Sequence, residues 1–154
     1  MQLKETLNVR GHIRIEKERD GQIYEVTEAE NIFLTTGINE IWKLVTGQSA
    51  STFTNAQATI GIGDSATAAT AGQTDLQAAT NKTYKAMGAS YPTVPSAGAV
   101  QFQSVFATTD ANYAWNEFVV RQATSVICID RGVSAMGTKA SGTTWTVTVT
   151  LSIA

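Results

Sequence analysis

Residues 144–153 read Thr-Trp-Thr-Val-Thr-Val-Thr-Leu-Ser-Ile, polar and apolar in strict alternation. Side chains alternate across a strand with a period of two, so this stretch predicts a half-buried β-strand. Trp145, Val147, Val149, Leu151 and Ile153 share one face; Thr144, Thr146, Thr148, Thr150 and Ser152 share the other. That second face carries only short hydroxyls. Drying it removes no charge from water, so it suits contact with another protein. Thr144, Thr146, Thr148 and Thr150 are therefore the expected interface positions, although threonine also favours strands for reasons of packing alone.

Working outward, residues 7–15, Leu-Asn-Val-Arg-Gly-His-Ile-Arg-Ile, alternate with the same apolar parity. Asp20-Gly21 follows, a pair suited to a two-residue type I′ turn in which both central residues take positive φ. The pattern predicts an N-terminal β-hairpin over about 5–33, able to act as an arm, with its first strand in the same sheet as the last strand of the chain. Facing Arg19 with Gln22 sets Ile15 against Val26, Val9 against Ile32 and Leu7 against Leu34. It also sets Ile13 against Glu28, a mismatch that predicts a bulge or fraying within Glu28–Asn31.

Residues 36–46 switch period: Ile38, Ile41, Trp42 and Val45 form one helical stripe, with Thr36 placed to cap and Gly47 to stop. This predicts an amphipathic helix packed on a sheet, Trp42 its largest anchor. Further strands are expected within 58–64 and over 83–89, 99–107, 112–121 and 125–131, with Pro92 and Pro95 marking a loop. Segments 48–58 and 64–81 are long and polar, and 75–79 could form one helical turn. The expected fold is mainly β: an antiparallel β-sandwich or partly closed β-barrel with one amphipathic helix, in a single domain over 1–154.

Charge is unevenly spread. Residues 1–43 hold 14 of the 24 Asp, Glu, Lys and Arg residues. Arg10, Arg14, Lys17 and Arg19 interleave with Glu16, Glu18 and Asp20, which reads as a solvated strand face. A net charge of −2 offers no basic footprint for nucleic acid. No stretch has the length of a membrane span or the apolar core of a signal peptide, so a soluble protein made in a cytoplasm is expected. Cys128, alone in an apolar run, reads as a buried small hydrophobe.

The chain lacks a complete catalytic or cofactor motif. Gly61-Ile62-Gly63 has neither the third glycine nor the Lys-Ser/Thr pair of a phosphate loop, and reads as close backbone packing or a turn. His12 sits between Arg10 and Arg14 with no nucleophile beside it. Clustered metal ligands are absent from the sequence, and Asp64, Asp75, Asp110 and Asp130 read as turn or cap residues. No enzyme activity, cofactor or metal is expected. Glu117 shares a strand face with Tyr113, Trp115 and Val119, where a carboxylate needs a partner; Arg131 and Lys139 are the nearest later cations. It reads as a catalytic acid of raised pKa or, preferably, as a structural carboxylate that fixes register, with Arg131 its companion polar residue. The tryptophans and tyrosines could stack on a sugar, which keeps a carbohydrate-binding sandwich as an alternative, although each tryptophan lies in an apolar stripe.

The order of segments carries a resemblance. Asn31-Ile-Phe-Leu-Thr-Thr-Gly37 leads into the helix, then come Ile60-Gly-Ile-Gly-Asp64, a Thr/Ala-rich stretch and Thr74-Asp-Leu76. Trp115-Asn-Glu-Phe-Val119, Arg131-Gly, Gly137-Thr-Lys139 and the threonine-alternating strand follow. This progression, over 31–153, resembles small virion proteins of tailed bacteriophages. The hairpin lies outside it, and Gln77-Ala78 stand where some relatives carry Glu and Arg. The resemblance implies a structural protein of the virion: a capsid decoration (cement) subunit whose partners are the major capsid protein and copies of itself, as a homotrimer. A tail, baseplate or fibre subunit is the alternative.

Overall fold

The computed structural model describes residues 8–153. Nine strands and one helix follow in chain order: β1 (Val9–Arg19), β2 (Gln22–Phe33), α1 (Thr35–Val45), β3 (Ala58–Gly63), β4 (Lys82–Ala86), β5 (Thr93–Ser96), β6 (Ala99–Phe106), β7 (Ala114–Gln122), β8 (Asp130–Thr138) and β9 (Thr144–Ile153). They form one antiparallel sheet in the order β4-β3-β7-β8-β2-β1-β9-β6-β5. The sheet curls until β4 approaches β6, where the Ser104 hydroxyl donates to the Lys85 carbonyl at 3.2 Å. Just beyond β4, the Gly88 N–H donates to the Gln103 carbonyl at 2.7 Å. The architecture is thus mainly β, a partly closed antiparallel barrel with one helix.

The two strictly alternating strands are neighbours. β1 runs against β9 from Val9–Ile153 to Glu18–Thr144. Ile13, Ile15, Trp145, Val147, Val149 and Leu151 point inward and are buried. They meet Ile60, Ile62, Phe102, Phe106, Phe118 and Met136 in the main core. Trp115 lies at its centre, with ring centroids 4.8 Å from Phe106 and 4.6 Å from Trp145, both edge to face. Such pairs add about 0.5–1.5 kcal/mol beyond burial of area. Because β1 is hydrogen-bonded to β9 along its length, the hairpin is built into the sheet rather than projecting as an arm.

The hairpin turns at Asp20-Gly21, both with positive φ (52° and 75°). Its bulge lies elsewhere than the sequence indicates. Register slips between Glu18–Ile23 and Lys17–Glu25, leaving Tyr24 as the extra residue. Beyond it Ile15 faces Thr27 and Ile13 faces Ala29, which removes the Ile13–Glu28 mismatch. The expected facing of Leu7 with Leu34 lies outside the described residues. β2 meets β8 only through Ile32–Arg131 and Phe33–Asp130, so its outer part leaves the neighbouring strand.

Helix α1 is rotated by one residue from the expected docking. Gly37 and Glu40 are its buried positions, with Ile41 and Leu44 half-buried, while Ile38, Trp42 and Val45 face water. Gly37 explains the choice: a Cβ there would lie 2.4 Å from Ile129 Cα, so only glycine lets the helix backbone rest on that strand entry. Leu34, not Thr36, occupies the N-cap and makes no side-chain cap bond. Three other expectations change. The strand drawn over 125–131 begins only at Asp130 and runs to Thr138, because Val126 takes positive φ in the preceding turn. Residues 75–79 are not helical, and Pro95 lies within β5, a short edge strand where a missing donor costs nothing.

Candidate functional site

Glu117 and Arg131 are brought together, both fully buried. A register shift in the β7–β8 pairing follows Trp115. Trp115 therefore joins the main core with Phe118 and Val120, whereas Val119 joins a second, smaller core with Leu34, Leu76 and Cys128. Glu117 thus does not share the Trp115 environment. Its carboxylate is the anchor of the long polar loop. The Gln77 N–H donates to Oε2 at 2.8 Å and the Ala78 N–H to Oε1 at 2.7 Å. Arg131 donates to Oε2 through Nε at 3.0 Å and Nη2 at 2.7 Å. The same guanidinium reaches the Gln73 side-chain oxygen at 2.8 Å and the Thr67 carbonyl at 2.9 Å. Gly63 makes room for this clasp, since a Cβ there would lie 2.3 Å from Glu117 Oε1.

The pair is bonded to itself and also holds residues 67–78 over β7 and β8 through Thr67, Gln73, Gln77 and Ala78. A buried pair bonded in this way fixes conformation. The carboxylate captures the N–H groups of Gln77 and Ala78, which accounts for the missing helical turn. Lys139 serves a different place: its ammonium donates to the Ala107 carbonyl at 2.6 Å and to Asn112 Oδ1 at 3.0 Å. Burial pulls its pKa below the usual lysine range, opposed by the Asp110 carboxylate.

Beside the clasp, the Asp75 carboxylate accepts from the Tyr84 hydroxyl at 2.7 Å and lies 3.6 Å from Arg121, which stacks 4.0 Å above the Tyr84 ring. Cys128 points its sulfur at the same carboxylate at 3.5 Å. Burial, with Asp75 adding to it, pushes both the Tyr84 phenol and the Cys128 thiol well above their ordinary values. A thiol so raised is a poor nucleophile. Asp130 is no turn residue. It is wholly buried, accepting from the Val120 N–H at 2.7 Å and from the Asn31 amide. Burial lifts its pKa to about 7.

One reading of charge needs correction, that of Lys17, while His12 keeps its place. Lys17 lies on the inward face of β1, as its odd position demands, and is buried. Its ammonium sits 4.5 Å over the Trp145 ring and donates to Glu25 and to the Met136 carbonyl, each at 2.7 Å. His12 lies on the outer face, 3.7 Å from Glu28.

That outer face divides into two strips. On β1 and β2, Arg14 pairs with Glu16 and lies 3.7 Å from Glu28. On β9 and β6, Thr144, Thr146, Thr148 and Thr150 are half-exposed, and Val105, Gln103 and Gln101 stand opposite the last three. Gln101 donates to the Thr150 hydroxyl and Gln103 to the Thr148 hydroxyl, both at 3.1 Å. The result is a charge-free ladder whose polar groups partly satisfy one another. Among the described residues, no three His, Cys, Asp or Glu side chains gather as metal ligands, and no helix is long and apolar enough to cross a membrane. Comparison with protein families, with curated proteins and with solved structures finds no match.

Proposed function

We propose that this chain is a structural subunit of a bacteriophage virion, a decoration or cement protein that docks on the outer capsid surface and associates with copies of itself as a trimer. The observation that carries the reading is the Thr/Gln ladder of β9 and β6. It is uncharged and already cross-bonded, so it can be dried against another protein without moving an ion out of water. The neighbouring Arg14, Glu16 and Glu28 strip carries both signs, and rim charges of that kind set orientation more than affinity. The segment resemblance over 31–153 points to the same class of protein.

Stabilisation of a shell would follow from mass action. A subunit that binds only the assembled lattice contributes about 2.7 kcal/mol per site at a hundredfold excess over Kd. Cryo-EM of virions from a phage that encodes the chain is the direct test, with density on the outer shell and the ladder in contact as the expected result. Density on a tail, baseplate or fibre would move the assignment there, and absence from the particle would overturn it. Thr146→Lys with Thr148→Lys should abolish co-sedimentation with shells while leaving the thermal melt of the free protein nearly unchanged.

A further inference from the structure

Helix α1 turns three large apolar side chains to water. Trp42 is 62% exposed and Val45 71%, with Ile38 exposed on the same face. Next to that stripe, Ile41 forms one wall of an open hollow of about 330 Å³, completed by Val100, Ile129, Leu151, Val94 and Ile153. Val94, at 75% exposure, and Ile153 also present apolar surface to solvent. Knob and hollow therefore belong to one patch, joined through Ile41.

We propose that this patch is where copies of the chain meet, with Trp42 of one copy entering the apolar hollow of its neighbour. Three features favour a second copy as the occupant. The exposed side chains leave on the order of 500 Å² of apolar surface in water, at the upper end for an ordinary monomer. That is more than half of the roughly 800 Å² each partner buries in a standard complex, a suitable centre for a polar rim. Charge is also absent from the lining of the hollow, so an indole can enter it without drying an ion. Finally, a face that carries both a protruding indole and a hollow able to admit one is complementary to itself, either across a two-fold axis or repeated around a ring. Tryptophans seated in pockets are the usual centres of binding energy.

The inference names the surface for the self-association in the reading above but does not need a capsid, so its failure and that of shell docking are distinguishable. Trp115 and Trp145 are buried, which leaves Trp42 as the one exposed indole and makes quenching by acrylamide specific to it. Sedimentation of the full chain from micromolar to near-millimolar concentration should show a dimer or trimer, and quenching should fall as the oligomer forms. Trp42→Ala and Val94→Glu, both surface changes, should each weaken association at least tenfold while circular dichroism shows the fold retained. A chain that stays monomeric throughout would overturn the proposal. So would an oligomer indifferent to both variants, or shielding of Trp42 that does not depend on concentration.

Discussion

Asp130 is a carboxyl whose ionisation the fold opposes. Burial raises its carboxyl from 3.8 to about 7, so the folded protein keeps a proton that the unfolded chain gives up between those values. The stability this group contributes is complete below about pH 3.8 and is lost as pH rises towards 7. Asp130→Asn removes the titration, and once the Asn31 amide turns over, the new Nδ2 donates to Asn31 Oδ1, a buried oxygen that has no hydrogen-bond partner. Wild type should therefore lose stability relative to Asp130→Asn across pH 4–7, by about 1.4 kcal/mol for each unit of pKa shift. Guanidinium melts of both proteins at several pH values check this. Glu25 and Asp110, held low by hydrogen bonds from Lys17 and Lys85, act in the opposite sense but are common to both proteins. Glu117 makes a second residue-scale prediction. Glu117→Gln leaves Arg131 buried without a counter-charge and should cost about 3–5 kcal/mol. Adding Arg131→Met should recover part of the loss, which a double-mutant cycle in denaturant would measure. Lys17 reads with its charged neighbours as solvated, although its odd position places it among the inward Ile13 and Ile15. Arg121 and Asp75 meet through strand β7 and a loop far apart in sequence, and no local pattern marks them.

At the scale of elements, α1 shows how periodicity finds a helix without orienting it. The stripes 38, 41, 42, 45 and 37, 40, 41, 44 have the same spacing and differ by one residue, about 100° of rotation. Hydrophobicity favours the first, but the contact between Gly37 and the Ile129 backbone selects the second. Gly37→Ala should therefore cost about 1–3 kcal/mol through overpacking. The corresponding fall in melting temperature is about 2–4 °C per kcal/mol for a chain of this size, readable in a thermal scan. An unchanged melt would mean that the helix shifts freely and that the glycine contact does not position it. The loop over 64–81 is the complementary case. Its polar composition was plain, but its anchoring on a buried carboxylate was not, because the ligands are backbone N–H groups that carry no side-chain signature.

For the molecule as a whole, the sheet joins the first and last described strands. β9 lies between β1 and β6, and Val9 pairs with Ile153, so the sheet is complete only when the last strand is in place. A chain ended at Ser141 or just beyond should lose the shared wall of the core, with Trp145, Val147, Val149 and Leu151 removed together. Such a variant should show no cooperative transition in calorimetry or circular dichroism. A retained sharp melt would show that the remaining strands close without β9.

The amino-acid sequence by itself determined the β-rich class, the inward parity of β1 and β9, the Asp20-Gly21 turn and the presence of one helix. Each depends on a repeat or a dihedral preference that a few neighbouring residues express. Only the tertiary structure decided the position of the hairpin bulge, the rotation of α1, the start of β8 and the joining of Glu117 to Arg131 and the 67–78 loop. Those outcomes depend on which backbone approaches which, a balance of close contacts and buried hydrogen bonds between segments that lie far apart along the chain.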